Sequence, residues 1–117
     1  VYAEYLIGPD QPYAYGEGAY TWLTGTAGWS FMVATEWILG ARREFEGLRI
    51  DPCIPSKWKK CKIVRPFRGA VYEIEISNPA GVEHGIVTIE VDGERIQGNI
   101  IKPHNDGKTH LVKVVMG

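Results

Sequence analysis

The stretch AVYEIEIS at residues 70–77 decides the fold class of the second half of the chain. Apolar and polar side chains alternate along it with a period of two, as in a strand that has one face on a core and the other in solvent. The inward set is Tyr72, Ile74 and Ile76, and the outward set is Val71, Glu73 and Glu75. This pattern predicts a half-buried antiparallel strand.

Further strands are predicted on both sides of this stretch, at residues 48–50, 61–67, 85–91, 95–101 and 109–116. Turn-forming residues separate them, and Asp92-Gly93 between two apolar runs is a strong hairpin signal. About six short strands are enough for a small antiparallel β-sandwich or jelly-roll-like module. We assign that module to residues 47–117.

The first half of the chain has a helical pattern instead. Residues 27–40, AGWSFMVATEWILG, contain no proline and end on Gly40, a common helix stop, and Thr24 or Thr26 could cap the start. The predicted helix is apolar nearly all round, which is typical of a helix inside a larger assembly. The fold class is therefore α+β, with a helical segment over residues 1–46. We expect the chain to form a homo-oligomer through this apolar helix.

Composition excludes several classes of partner. The net charge is −1, with 13 basic and 14 acidic residues mixed along the chain, so nothing favours nucleic acid or an anionic membrane. No apolar run reaches the length of a membrane-spanning segment. The chain starts at Val1 without the features of a signal peptide, which indicates a piece of a longer protein located in the cytoplasm. Cys53 and Cys61 are expected to be reduced thiols there.

The segment GEGAYTWLTGTAGW at residues 16–29 is the best candidate for a binding site. Thr24, Gly25 and Thr26 come directly before the predicted helix, where free amides and the positive end of the helix dipole meet. Glycine allows an anion to approach the backbone, and the two hydroxyls can donate hydrogen bonds. The three residues are therefore candidates for phosphate binding. An ordinary helix start has the same composition, so a simple cap is the alternative.

Two carboxylates accompany this segment. Glu17 stands between glycines in a loop rich in aromatic residues, and Glu17 with Tyr20 is a candidate for binding a sugar. A solvated loop glutamate is the alternative for Glu17. Glu36 is the lone charge on the apolar helix, and structural pairing with Arg42 or Arg43 is the preferred interpretation.

The histidines His84, His104 and His110 lie in or beside predicted turns. A cupin-like metal site would need inward-facing strand positions with a carboxylate close by, and the spacing does not fit that pattern. We therefore expect no metal site and no cofactor.

The order of several motifs resembles the carboxyl end of glycoside hydrolase family 94, over nearly the whole chain. The matching stretches are YGEGAYTWLTGTAGW, EWILGARREFEGLRIDPCIP, FRGAVYEIEISNP, VDGERI and VKVVMG. TGTAGW and LRIDPCIP are the specific motifs. The strands resemble those of cyclic β-1,2-glucan synthases more than those of cellobiose phosphorylase.

This resemblance implies a fold and a reaction. Residues 1–46 would end an (α/α)6 catalytic barrel, and residues 47–117 would form the β-module that follows it. The family cleaves a β-glucosidic bond of a disaccharide or glucan with inorganic phosphate as co-substrate, and inversion gives α-glucose 1-phosphate. The aspartate that acts as general acid would lie upstream of Val1, so this chain would contain no catalytic residue and would be inactive alone. A synthase parent would be associated with the inner membrane.

The resemblance also bears on the site. The family's Thr-Gly pair, which binds phosphate, matches Thr24 and Gly25. The arginine and histidine that complete that phosphate site in the family have no match in this sequence.

Two readings from other classes stay open. A freestanding carbohydrate-binding β-module would be monomeric and would bind glucans by itself. A structural or interaction module would dock through its apolar helix, for example as a dimer that buries Trp29 and Trp37.

Overall fold

Strands outnumber helices in the computed structural model, which describes residues 5–19 and 25–117. These residues belong to two units, Val1–Val33 and Ala34–Gly117, and each is described by itself. One short α-helix and three sheets of mixed and antiparallel pairing occur in the described ranges. This composition agrees with the predicted α+β class. The barrel end, the jelly-roll arrangement and the division between residues 46 and 47 stay predictions.

Two short strands and one helix occur among the described residues of the first unit. Strands β1 (Tyr5–Leu6) and β2 (Gly18–Ala19) pair antiparallel. Beyond them the Ile7 amide donates to the Glu17 carbonyl at 2.9 Å, which closes the intervening loop. Helix α1 (Thr26–Met32) has Gly25 at its N-cap position, so the N-cap residue provides no capping side chain. The prediction that Thr26 caps this helix was therefore wrong, because Thr26 is its first helical residue; Thr24 lies outside the described residues.

A π-helical stretch, Val33–Ile38, directly follows α1 in the chain, and all of it except Val33 belongs to the second unit. It ends at Ile38, two residues before Gly40, whose φ of 72° lies in the left-handed region where glycine is favoured. A Cβ at Gly40 would overlap the backbone of Asp51 and Pro52. The predicted stop at Gly40 therefore has two physical causes, a left-handed backbone and a close approach of another segment.

Eight strands form the sheets of the second unit. They are β3 (Ala41–Arg43), β4 (Leu48–Ile50), β5 (Lys60–Phe67), β6 (Ala70–Ser77), β7 (Thr88–Val91), β8 (Glu94–Arg95), β9 (Ile100–Ile101) and β10 (Thr109–Val115). One sheet has the order β3-β4-β9, and the other has the order β5-β6-β10-β7-β8.

Two tight hairpins are built by two-residue turns. Asp92 and Gly93 have φ values of 52° and 89° and connect β7 to β8, as predicted from the sequence. Arg68 and Gly69, with φ of 43° and 73°, connect β5 to β6 in the same way. Positive φ at both central residues matches the twist of the flanking strands.

The largest sheet is mixed, whereas the sequence pattern predicted antiparallel pairing. β6 is antiparallel to β5 but parallel to β10, with Ile74 opposite Val112. A parallel pair needs a long crossover, and residues 78–108 provide it. Alternation of apolar residues identifies the buried face of a strand but is the same for both directions of pairing.

The predicted strand at residues 95–101 is two strands in different sheets. β8 pairs with β7, and β9 pairs with β4. Gly98 lies between them with φ of 76°, a conformation that interrupts a strand. The chain therefore passes from one sheet to the other at this glycine.

Buried residues of both sheets form one hydrophobic cluster. Tyr72, Ile74 and Ile76 are at most 1% exposed, as the alternation on β6 predicted. From the smaller sheet Leu48 and Ile101 join the same cluster.

Cys53 and Cys61 are free thiols, and burial raises the pKa of Cys61.

Candidate functional site

The predicted phosphate-binding turn is only partly described. Thr24 lies outside the described residues, as does Tyr20 of the predicted sugar site. Gly25 and Thr26 are exposed at the start of α1. Gly25 has φ of −73° and accepts a hydrogen bond from the Trp29 amide at 3.0 Å through its carbonyl. The joint phosphate site therefore stays a prediction.

Gly25 is close to a tryptophan side chain. A Cβ built at this position would lie 3.3 Å from Cδ1 of Trp29, which is tighter than ordinary contact. Gly28, two residues into α1, has nothing within 4 Å of the same virtual atom. The two glycines of the TGTAG motif thus differ in the space around them.

Glu17 lies in the loop that precedes β2, and it is exposed. Its amide donates to the Ala14 carbonyl at 2.9 Å, so the loop folds back on itself there. Tyr13 and Tyr15 of the same loop are also exposed. An exposed carboxylate among aromatic rings is compatible with either interpretation of Glu17, sugar binding or simple solvation.

Glu36 is paired, as the sequence predicted, but with one unexpected partner. Its Oε1 accepts hydrogen bonds from Arg43 at 2.7 Å and from Arg65 at 2.6 Å, and Glu36 is 6% exposed. The alternative partner, Arg42, instead lies over the Trp37 ring and forms an ion pair with Asp51. Arg65 was missed, although its place on an inward position of β5, between Ile63 and Phe67, is visible in the period-two pattern.

A second cluster of titratable groups was also missed. His110 is buried on β10, with Nδ1 2.7 Å from Oδ2 of Asp92 and Nε2 3.1 Å from Oδ1 of Asp106. The His104 ring stacks on the His110 ring with centroids 3.8 Å apart. Tyr72 completes the group, because its hydroxyl is 3.0 Å from Nδ1 of His104.

The charges in this cluster shift one another's titration. The hydrogen bond to Asp92 is the main reason that the pKa of His110 is raised. The same bond, with the amide of Leu111, lowers the pKa of Asp92. Bonds from the Lys108 amide and from His110 lower the pKa of Asp106. The arrangement thus favours a charged histidine between two charged carboxylates.

Placing all three histidines in surface turns was wrong for His110. His110 occupies an inward position of β10, in phase with Val112 and Val114, and a carboxylate is next to it. Asp92, His104 and His110 each bring one possible ligand atom within 4.8 Å of the others. The phase of HLVKVV could have identified His110 as inward, whereas the approach of His104 depends on tertiary structure.

Two of the clefts on the second unit lie beside polar side chains. One of about 710 Å³ has Asp51, Arg95, Gln97 and Asn99 among its polar lining residues. Another of about 530 Å³ is bordered by Asp92 and His104 and also by Glu94 and Lys102. The second cleft therefore gives solvent access to the histidine cluster.

None of the helices in the described part of the chain combines the length and the apolar character needed to span a membrane.

Comparison with known proteins finds one family and several longer relatives. A profile for the Glycosyl hydrolase 94 superfamily, catalytic domain, matches residues 1–40. N,N'-diacetylchitobiose phosphorylase of Vibrio proteolyticus is 40% identical over 99% of this chain, and solabiose phosphorylase of Paenibacillus borealis is 40% identical over 94%. The chain spans only 14% of the length of each. Cyclic beta-(1,2)-glucan synthase NdvB of Rhizobium meliloti is 32% identical over 63% of the chain, which is 3% of its own length.

Proposed function

The chain belongs to the glycosyl hydrolase 94 superfamily, and on this premise we propose that it is the carboxyl-terminal part of an inverting β-glycoside phosphorylase. The observation that carries the proposal is the 40% identity to a disaccharide phosphorylase over 99% of the chain. The parent enzyme would cleave a β-linked disaccharide with inorganic phosphate and release a sugar 1-phosphate of α configuration. No further cofactor is needed for this reaction.

A disaccharide is a better candidate substrate than a cyclic glucan. Both phosphorylases share more identity with the chain, over more of its length, than the glucan synthase does. Relatives named for N,N'-diacetylchitobiose and for solabiose suggest which sugars to test first. This weighs against the closer likeness to the synthases that the strand sequences suggested.

Thr24, Gly25 and Thr26 are the residues through which this chain would bind the phosphate. In support, Gly25 and Thr26 are exposed where α1 begins, and the start of a helix is where backbone amides can meet an anion. Glu17 and Tyr20 would bind hydroxyl groups of the sugar. The exposure of Glu17 is compatible with that role.

The general acid would come from a part of the parent enzyme outside this chain. Glu36 is a poor candidate, because its buried carboxylate is already engaged by two arginines at 2.6 and 2.7 Å. A general acid must reach the leaving oxygen and carry a proton to it. Glu36 is instead a structural group that joins the π-helical stretch to β3 and β5.

The test is a phosphorolysis assay on two proteins. One is the longest natural protein that contains this chain, and the other is the 117-residue chain by itself. Each is incubated with inorganic phosphate and a panel of N,N'-diacetylchitobiose, solabiose, cellobiose, laminaribiose and sophorose, and sugar 1-phosphate is measured. We expect product from the long protein with at least one substrate and none from the short chain. Phosphate-independent cleavage by the long protein, or turnover by the short chain, would contradict the proposal.

A further inference from the structure

Three side chains with metal-binding atoms meet at one end of the larger sheet. Asp92 is in the turn between β7 and β8, His104 is in the segment between β9 and β10, and His110 is on β10. One ligand atom from each lies within 4.8 Å of the other two. Two imidazole nitrogens and a carboxylate oxygen form a donor set that suits zinc and similar divalent transition metals.

Neighbouring groups hold each ligand so that one atom stays available. With His104 protonated on Nδ1, the Tyr72 oxygen accepts from that nitrogen at 3.0 Å and from the His104 amide at 3.2 Å, which leaves Nε2 for a metal. Asp106 accepts from Nε2 of His110 at 3.1 Å and leaves Nδ1. Such partners on the second nitrogen are the usual companions of metal-binding histidines.

Asp92 is oriented in the same way. Its Oδ1 accepts the Leu111 amide at 2.8 Å, while Oδ2 faces Nδ1 of His110 at 2.7 Å. A cation between these two atoms would replace the proton that they now share. The carboxylate is therefore fixed by the backbone of β10 and presents its other oxygen to the cluster.

The ligands need a small adjustment to bind an ion. Zinc bonds of about 2.0–2.2 Å place tetrahedral ligand atoms roughly 3.4 Å apart. Ligand atoms that are up to 4.8 Å apart must therefore approach one another by up to about 1.4 Å. His110 can act as the fixed ligand, since its side chain is 8% exposed, whereas the Asp92 side chain is 49% exposed and its Oδ2 can turn while Oδ1 keeps the hydrogen bond from the Leu111 amide. His104 is also exposed, and a rotation of its ring would open the 3.8 Å stack on His110.

We propose that Asp92, His104 and His110 bind one divalent ion of the zinc class. The cleft of about 530 Å³ bordered by Asp92 and His104 would admit water as the fourth ligand. The inference is independent of the phosphorylase proposal, because none of these residues belongs to the predicted phosphate or sugar site. Without a metal, the same cluster would be only a hydrogen-bonded pair of carboxylates around His110.

The test is a zinc titration of the 117-residue chain after dialysis against a chelator, at about pH 7.5. Competition with a chromogenic chelator gives the stoichiometry and the affinity. We expect one equivalent of zinc, and His104→Ala should weaken binding by at least tenfold because one of three protein ligands is lost. His104 is exposed, so its removal should not unfold the chain, and circular dichroism checks this. His84→Ala, which removes a histidine outside the cluster, is the matched control and should bind zinc as the parent does.

Two further measurements separate a metal site from adventitious binding. Cobalt should give the visible absorption bands of a tetrahedral site in the parent and lose them in His104→Ala. Tyr72→Phe keeps both histidines but removes the oxygen that orients His104, and about a tenfold loss of zinc affinity is expected. The proposal is overturned if less than 0.1 equivalent of zinc binds, or if the affinity of His104→Ala stays within twofold of the parent.

Discussion

The buried carboxylate of Glu36 accepts a 2.6 Å hydrogen bond from Arg65, a residue 29 positions away in the sequence. This bond connects the π-helical stretch to the middle of β5. Arg43 donates to the same oxygen, but its side chain is 55% exposed, whereas that of Arg65 is 11% exposed. The two arginines therefore offer a matched comparison of a buried and an exposed partner.

Arg65→Ala should destabilise the chain much more than Arg43→Ala. Removing the buried partner leaves the buried carboxylate with the exposed Arg43 alone. Loss of one partner of a buried ion pair costs up to about 3–5 kcal/mol, whereas an exposed ion pair contributes about 0–1 kcal/mol. Urea denaturation of both variants and the parent measures the difference. Equal losses would show that Arg65 contributes no more than a surface charge does.

Thr24→Val in the long parent protein should weaken phosphate binding by about tenfold or more. The substitution keeps the side-chain shape but removes a hydroxyl, and a hydrogen bond to a charged acceptor contributes about 1.5–3 kcal/mol. The Michaelis constant for phosphate is the quantity to measure, with that for the disaccharide as reference. If the folded variant has a Michaelis constant for phosphate within twofold of that of the parent, the turn is an ordinary helix start and does not bind phosphate.

Gly25→Ala should also weaken phosphate binding, and Gly28→Ala should not. Because φ at Gly25 is −73°, alanine fits the backbone there, so any loss reflects a Cβ crowded against Trp29 and the anion rather than backbone strain. Gly28 has open space around it and lies inside α1, where alanine favours the helix. The Michaelis constant for phosphate is measured for both variants. Similar constants for the two would argue against a specific role of Gly25 in phosphate binding.

Gly40→Ala should be far more destabilising than Gly93→Ala. Both glycines have positive φ, 72° and 89°, so both substitutions incur about 1–2 kcal/mol of backbone strain. A methyl group at Gly93 meets nothing within 4 Å, while one at Gly40 overlaps the backbone of Asp51. Overpacking adds about 1–3 kcal/mol at Gly40. Urea midpoints of the two variants give the comparison, and indistinguishable values would contradict the close approach at Gly40.

The hydrogen bonds of His110 should make the metal-free chain most stable between about pH 4 and 6.5. The pKa of His110 is raised, so its contribution is complete below the unfolded value of about 6.5 and is lost as the pH rises through the folded value. The pKa values of Asp92 and Asp106 are lowered, so their contributions are complete above about 3.9 and are lost as the pH falls through the folded values. The rings of His104 and Tyr72 also contact the His110 ring, and both residues are unchanged in the variant used for the test below.

Thermal unfolding of the parent and of His110→Gln, with chelator present, tests this pH dependence. The stability advantage of the parent should shrink between pH 6.5 and 9. A constant difference over that range would show that charge on His110 contributes nothing.

Self-association of the 117-residue chain is expected through the apolar side chains of α1. Trp29 is 69% exposed and Phe31 is 62% exposed, and pairing with a second copy would remove this area from water. Sedimentation velocity should show dimers or larger species for the parent and a shift toward monomer for Trp29→Ser combined with Phe31→Ser. Tyr13→Ser, at a fully exposed loop position, is the control. A monomeric parent at high concentration would contradict the expectation.

Local sequence identified several strands and turns of the second unit, but β3 was not predicted and residues 95–101 form parts of two strands instead of one. The alternation in AVYEIEIS identified the buried face of β6, and Asp92-Gly93 identified the β7–β8 hairpin. These features depend on a few neighbouring residues, so their physics is present in the sequence. The direction in which two strands pair cannot be read from local sequence, because the alternating pattern of β10 is the same beside a parallel or an antiparallel neighbour.

For the candidate sites too, sequence reasoning found the contacts between residues that are near in sequence and missed those between distant residues. Glu36 was expected to pair because a buried charge needs a partner, and Arg43 is near in sequence. Arg65 and the pair of His104 with His110 come together only through the order of strands in space. The phosphate turn was inferred from local chemistry and from family resemblance, and Thr24→Val remains its direct test.

The position of β10 has a consequence for how the chain folds. β10 lies between β6 and β7, so the β5–β6 and β7–β8 hairpins cannot belong to one sheet until residues 109–115 have been synthesised and have docked. Before that moment both hairpins have an unpaired edge, which is the kind of surface on which other chains add strands. Contacts between strands so distant in sequence form slowly. Aggregation during expression should therefore compete most strongly with the docking of this one strand, and substitutions that weaken β10 should lower the yield of folded protein before they lower its stability measurably.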